Sequence, residues 1–422
     1  MKLRLRAAAT IWFLLEFPVP NPGAPAAHHP LFIALIAASL SMLAPFTIDT
    51  YLPSFPAIAA DLGASHVQMQ QTMGLYLAAF ALTTLIYGPL SDTFGRRPVI
   101  IGALALYVAG SIGAALTASI DGLLFWRVVQ GLSAGAGVVV GRAMVRDVFS
   151  GHHAQRVLSQ AMLIFAVAPA IAPMIGGVLQ DWSGWRSVFW FLALLGLGVL
   201  ALIAWRAPET LAKEGRHSIH PVKVAAAYAM ALRHGRFMGL VLAFACNFGA
   251  FFIYIAAAPT LLYDHLHLGT NDFWMQFVPM VGGLMLGSYT MSRLAGRITP
   301  RRGIRIGYAL MLGASLGNVL QALLLPPAPI NVLAPLVLYA FAVSFSMPNL
   351  TVLALDCFPR NRGMAAAVQS FMQVGFNALV AGLLVPLLSH QVWAMAAGML
   401  ALALLGLAVW SWQERRWGGD AP

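Results

Sequence analysis

Charge is what this chain of 422 residues has least of. Asp, Glu, Lys and Arg together supply 9% of it, where a soluble domain carries about a quarter. That shortage excludes a water-facing globular surface over most of the sequence. Cysteine is nearly absent too. Cys246 and Cys357 stand 111 positions apart with no Cys-x-x-Cys or histidine partner spacing, so neither a disulfide framework nor a metal site is implied. All eleven histidines fall in extensions, loops or the ends of apolar runs. No nucleophile–base pairing, no G-x-x-x-x-G-K-[ST] phosphate loop and no metal-ligand spacing is present. The sequence therefore implies no enzyme chemistry and no cofactor, and work done by such a chain would draw on an ion gradient rather than on ATP.

Hydrophobic residues make up 60% of the chain. A helix needs about 20 apolar residues to cross a bilayer, and windows of that size recur. The first opens at Leu31. Others run near 68–90, 98–118, 122–144, 158–180 and 185–206, then, beyond a polar stretch, near 237–263, 271–293, 303–325, 330–355, 363–388 and 391–412. The pattern predicts an all-α integral membrane protein of twelve transmembrane helices. They form two six-helix bundles, residues 31–206 and 237–412, with a central cytoplasmic loop at 207–236 and a tail at 413–422. Residues 1–30 have a basic start and a short apolar core interrupted by Glu16, too broken to span. They read as a disordered extension, with a signal peptide or an early start codon as alternatives.

The net charge of +11 would suit a nucleic acid if it covered one surface. Its placement says otherwise. With the N-terminus inside, 23 of the 25 Lys and Arg residues fall on the cytoplasmic side, Arg127 and Arg186 being the exceptions. This is the positive-inside rule. It implies the lipid bilayer of the inner membrane as the partner, no nucleic acid, and both termini in the cytoplasm.

One acid stands well inside a span. Asp49 is the only charge in LFIALIAASLSMLAPFTIDTYLPSFPAIAA, the run from Leu31 to Ala60. A carboxylate at that depth costs roughly 2.5–3.5 kcal/mol on insertion scales, which marks it as functional. Pro45, Pro53 and Pro56 flank it and predict a distorted helix. A helix ending near Thr50 would instead leave Asp49 at the water interface. Arg127, against the charge rule, opens the fourth run with Gln130 and Gly131 close behind. Its permanent charge would favour an ionised Asp49 if the two met. The alternative is an arginine snorkelling to the interface.

The loops carry an internal repeat. GPLSDTFGRRPVIIG begins at Gly88 and GSYTMSRLAGRITPRRGIRIG at Gly287, 199 residues apart. Two equivalent halves are the signature of a transporter with its substrate site between them, near the midplane. GPLSDTFGRRPVI also resembles the loop motif of the major facilitator superfamily, G-x-x-x-D-x-x-G-R-R. RVVQGLSAGAG resembles that family's R-x-x-Q-G motif. APAIAPMIGG is similar to its antiporter motif, with Ala168 and Ala172 in place of two glycines. TIDTYLPSFPAIAADL and GRAMVRDVF narrow the resemblance to the Bcr/CflA-type drug-resistance branch, twelve-helix proton-coupled multidrug exporters.

The resemblance implies roles for particular residues. Asp49 and Arg127 would handle the proton. Since the family lines its cavity with helices one, four, seven and ten, Phe46, Gln130, Asn247, Phe251, Tyr254, Tyr339 and Asn349 are the substrate-contact candidates. The residues themselves add two devices. Gly88 and Gly95 permit a tight turn, and Asp92, Arg96 and Arg97, with Asp147 across, form ion pairs that latch the cytoplasmic side in the outward-facing state. Ala168, Ala172, Gly176 and Gly177 make a small-residue face for close helix contact, and Pro169 and Pro173 give the fifth helix a hinge. The expected function is export of small lipophilic or amphipathic compounds in exchange for protons by alternating access, by a monomer. A proton-coupled importer of a metabolite on the same fold is the alternative, followed by a membrane sensor or assembly factor.

Overall fold

The computed structural model describes residues 30–149, 151–212, 216 and 220–417. The expectations for residues 1–29 and for the last part of the tail lie outside the described residues.

Twelve spans follow one another. The first, α1, runs Pro30–Asp49, passes through a 3-10 turn at Leu52–Ser54 and resumes as Phe55–Leu62. Then come α2 (His66–Phe94), α3 (Arg96–Leu116), α4 (Ile120–Val148), α5 (Gly151–Ser183) and α6 (Trp185–Arg206). A linker helix, Pro221–Arg233, precedes α7 (Gly235–Ala256), which continues into a π turn at Thr260–His265. The remainder are α8 (Trp274–Leu294), α9 (Pro300–Leu324), α10 (Pro329–Asp356), α11 and α12 (Val392–Trp417). Of these, α11 is Arg362–Leu379 carried through a π turn, Val380–Leu384, to Val385–Leu388. Among the described residues ten of the spans are both long and apolar enough to cross a bilayer. The exceptions are α8, diluted by polar residues such as Gln276 and Ser288, and α5, part of whose side chains lie outside the described set.

Local chemistry sets the helix ends. Ser65 and Gln68 form a reciprocal capping box at the start of α2. Ser119 and Thr299 accept backbone N–H bonds at the starts of α4 and α9. The break in α1 has a covalent cause. Pro53 has no N–H to give the carbonyl four residues back, which is that of Asp49, and its ring clashes with that oxygen. The α-helix therefore stops at Asp49. Because the chain resumes helical form and runs on to Leu62, the break lies within the span and not at its end.

Helices α1–α6 pack together, chiefly α2 on α4, α3 on α4 and α6, and α1 on α4 and α5. In the second half α10 packs on α7, α8 and α9, and α7 on α11 and α12. The halves meet along α2–α11 and α5–α8. We call the end bearing the arginine-rich loops the basic end. Cross-half hydrogen bonds gather at the opposite, far end. His66 Nε2 pairs with Thr260 Oγ1 at 2.8 Å, and Gln70 Nε2 donates to the Ala256 carbonyl at 3.1 Å. Tyr263 donates to the Pro53 carbonyl at 2.7 Å, and Asn271 to Asp181 Oδ2 at 2.6 Å. At the basic end Tyr228 of the linker helix donates to the Leu85 carbonyl of α2 at 2.7 Å. The far end is thus closed.

Gly176 shows how closely α5 approaches the break. A Cβ there would overlap the Thr50 carbonyl oxygen, whereas one at Gly198 on α6 would meet open space. Overpacking of a tight contact costs about 1–3 kcal/mol. Gly176→Ala should therefore lower the melting temperature of the detergent-purified protein, and Gly198→Ala should leave it near wild type. Equal melting of all three would show that the α5–α1 contact does not need the glycine.

Candidate functional site

Asp49 is the last residue of the first segment of α1 and is 3% exposed. The span itself runs on past it to Leu62. Its Oδ1 is buried with no hydrogen-bond partner. Arg127, on the first turns of α4, is fully buried and so does not snorkel. Its Nη1 donates to the Thr47 carbonyl at 3.2 Å and to Gln130 Oε1 at 2.9 Å, and its Nε reaches the Thr72 carbonyl at 3.4 Å. Its Cζ lies 4.2 Å from the ring centre of Tyr51 and 4.5 Å from that of Tyr76. Nη2 has no hydrogen-bond partner.

Gln130 continues the network by donating to Ser111 at 2.8 Å, and the Thr47 hydroxyl pairs with Tyr107 at 2.7 Å. Tyr51 and Thr72 hydroxyls are 3.3 Å apart. Among the described residues Asp49 and Arg127 form no ion pair. The expected direct meeting is not made in this conformation, because carbonyls and tyrosine faces occupy the guanidinium. The sequence reading missed Tyr51, Tyr76, Thr72, Tyr107 and Ser111. Nothing in the sequence signalled them, since Tyr51 and Tyr76 lie 76 and 51 positions from Arg127.

The other cavity candidates are buried, and several spend their polar groups inside their own half. Tyr254 accepts from Asn318 at 2.7 Å, and its carbonyl accepts from Gln276. Asn349 donates to the Phe345 carbonyl of its own helix and lies against Gly303 of α9. Asn247 reaches Ser346 at 3.5 Å and lies against Gly406 of α12, while Tyr339 donates to the Asn247 carbonyl. Phe251 stacks on Tyr339 with ring centres 6.5 Å apart, and Phe46 packs on Phe191 of α6. In this conformation Asn247, Tyr254 and Asn349 thus direct these groups to partners within the second half. The reason is rotational, since these groups lie on helix faces turned into the second-half bundle.

At the basic end Arg96 ties three helices together. It pairs with Asp92 and, at 3.0 Å, with Asp147 Oδ2, and it donates to Ser91 Oγ at 2.7 Å. Arg97 stands outside the ion cluster and donates to the Ala204 carbonyl near the end of α6. The linker supplies what the sequence reading overlooked. Glu209 accepts from the backbone N–H groups of Arg96 (2.9 Å) and Arg97 (3.3 Å), capping α3, and Thr210 donates to Asp147 at 3.0 Å. Gly95 has φ +97°, and a Cβ there would overlap the Glu209 carboxylate. Gly88 faces Val139 with ordinary room for a methyl, so only the second motif glycine is sterically required. In α5, Ala168 and Ala172 are buried, the helix runs unbroken through Pro169 and Pro173, and Gly177 abuts the Thr270 carbonyl of the second half.

With this geometry in hand, comparison with known proteins is informative. Residues 37–381 match the Major Facilitator Superfamily. The chain belongs to that family. It is 30% identical to a Bacillus subtilis protein described as the uncharacterized MFS-type transporter YdgK, across 94% of this chain and 99% of that one. It is 32% identical to a bicyclomycin resistance protein homolog of Haemophilus influenzae over 68% of this chain and 72% of that one. The drug-resistance branch indicated by the motifs is thus represented among its relatives. A bacterial homolog of the human lysosomal transporter Spinster, solved inward-facing and unoccupied, superposes with TM-score 0.70 at 16% identity, covering 93% of this chain and 97% of that one. At that identity the likeness speaks for the shared twelve-helix fold.

The linker contact makes its own prediction. Loss of a side-chain cap at a helix start costs about 1 kcal/mol. Glu209→Ala should lower the melting temperature more than Glu209→Gln, which keeps one acceptor oxygen. If the two variants melt alike, Glu209 does not act as the cap.

Proposed function

We propose that this membrane transporter exports small lipophilic or amphipathic compounds across the bacterial inner membrane in exchange for protons. The observation that carries this reading is Asp49, a lone buried carboxyl with a free oxygen, placed at the break in the first span. A group so placed is expensive to leave charged and unpaired, so its proton is a natural coupling ion. The names of relatives support the substrate class. They include the bicyclomycin resistance protein homolog and a chloramphenicol resistance protein of Pseudomonas aeruginosa, 28% identical over 88% of this chain and 90% of that one.

In the proposed cycle Asp49 takes a proton from outside, substrate and proton compete, and the protonated, empty protein turns inward. The halves, residues 31–206 and 237–412, rock about a site near the midplane. The charge rule assigns the basic end to the cytoplasm, with both termini there. On that assignment the closed far end faces outward. Bonding of the second-half amides within their own bundle favours a substrate site that is largely apolar and aromatic, suited to flat lipophilic cations. The unit is a monomer. Pro169, Pro173, Gly176 and Gly177 are the hinge of α5.

Asp92, Arg96 and Asp147, with Gly88, Gly95 and Arg97, form the latch, closed by the second half when the cytoplasmic end shuts. The Arg96 pairs already hold within the first half while the far end is closed, so the pairing by itself does not mark the outward state. Exposed pairs contribute about 0–1 kcal/mol, which makes the half-exposed Asp92 a modulator. Asp92→Asn should shift cysteine accessibility at the two ends and reduce transport several-fold. Unchanged accessibility and transport would remove the latch.

Everted vesicles test the main reading. The wild type should load substrate and dissipate an imposed pH gradient, and Asp49→Asn, inserted at normal levels, should lose gradient-driven loading. Full loading by the variant would sink Asp49 as the coupling site. Loading only into right-side-out vesicles would favour an importing symporter.

A further inference from the structure

Histidine is the side chain whose charge changes between about pH 5 and 8, and one of the hydrogen bonds closing the far end belongs to a histidine. His66 opens α2 in the first half, and its Nε2 pairs with Thr260 Oγ1 of the second half at 2.8 Å. Its other ring nitrogen, Nδ1, is buried without a hydrogen-bond partner. The ring of His390, in the turn between α11 and α12, lies 5.9 Å from that of His66, centre to centre. That turn is tied in its own half to the π turn at Thr260–His265, because His265 Nε2 lies 2.7 Å from the Ser389 carbonyl. One ring of the first half is thus set against two joined segments of the second. The titratable groups bearing on His66 are His390 from the α11–α12 turn and the exposed Asp264 from the π turn.

The two charge states of His66 suit this place unequally. A neutral imidazole with its N–H on Nε2 meets Thr260 and leaves only a lone pair on Nδ1. A protonated ring carries an N–H at both nitrogens, and the second finds no acceptor in the closed seam. The new charge also stands beside His390. An open mouth gives both rings to water, where neither cost arises. Asp264 acts in the opposite sense, since its carboxylate favours a charged His66.

We propose that His66, Thr260 and His390 form a pH-sensitive clasp across the far end, closed while His66 is neutral and released when it takes up a proton. The closed form is favoured at higher pH and gives way as pH falls through the histidine range. Asp49 has no part in the clasp, which goes beyond the coupling reading given above. With the far end outside, an acidic exterior favours the conformation that admits protons from that side.

The test reads the width of the far end by spin-label distance measurement between Ala118→Cys and Pro327→Cys, exposed positions in the α3–α4 and α9–α10 loops. Cys246→Ala and Cys357→Ser remove the native thiols, and Asp49→Asn removes the carboxyl of the coupling reading. From about pH 8 to about pH 5 the ratio of long to short distances should rise by on the order of tenfold. His66→Gln, whose amide keeps a partner for Thr260 without titrating, should show the short distance throughout. His390→Gln should shrink the acid rise by removing a like charge, and Asp264→Asn should enlarge it. A ratio flat with pH in the parent, an undiminished rise in His66→Gln, or changes of one sign in His390→Gln and Asp264→Asn overturn the clasp. Everted-vesicle loading by Asp49→Asn reports separately on coupling. If that loading is lost while the distances are flat, the clasp alone is wrong.

Discussion

A proline has no N–H to give the carbonyl four residues before it, and in the first span the helix yields at that point. Pro53 imposes that constraint on Asp49, and much of the first half follows from it. The α-helix stops at the carboxyl residue, a 3-10 turn intervenes, and the span resumes at Phe55. Local unwinding in the middle of a span is tolerated only where neighbouring helices cover the freed backbone. Here the cover is specific. Arg127 bonds the Thr47 carbonyl, α5 closes over Thr50 at Gly176, and Tyr263 of the second half donates to the carbonyl of Pro53 itself.

That cover joins the break to the seam between the halves. Gly176 and Gly177 are adjacent on α5, the first against Thr50 of α1 and the second against Thr270 beyond α7. Tyr263 makes a second link from the seam to the same turn. Opening the far end must withdraw Thr270 and Tyr263, and so must change what holds the turn beside Asp49. Conversely, any change of partner by Arg127 alters the bond that steadies the Thr47 carbonyl on the other side of Asp49. A route from proton to gate therefore exists in contacts a few residues long.

The sequence made the class, the span count and the loop motifs legible because these depend on composition and period. Apolar windows located every span, with ends off by up to about two turns, as at the start of α5 and the end of α7. Asp49 stood out because no other acid lies well inside a span. Rotational facts were not legible. Asn247, Tyr254 and Asn349 sit on cavity-lining helices, but a twelve-helix bundle buries every face of such a helix, and polarity alone does not say which neighbour a side chain meets. The Glu209 cap escaped for a different reason. It joins the linker to a loop 113 positions away, and nothing in local spacing signals that approach except Gly95, whose freedom reads at first as a turn. The tyrosines around Arg127 looked like ordinary apolar packing residues, since their significance depends on a cation three helices off in sequence.

The cross-half hydrogen bonds of the closed end are individually modest. Its cross-half bonds are side-chain contacts to carbonyls, a carboxylate and a hydroxyl, by His66, Gln70, Tyr263 and Asn271. Each such bond contributes a net of about 0.5–1.5 kcal/mol, and opening exchanges part of that for hydration. An equilibrium between closed and open states responds to a ligand only by its differential affinity for them. One proton at one site shifts such a balance by about 1.36 kcal/mol for each unit of difference in its affinity between the two states. An Asp49 whose surroundings change as the seam opens would have that leverage. Opening must also part the packing of α2 on α11, where Gly74 lies against Gly382, so these bonds are one part of what holds the end shut.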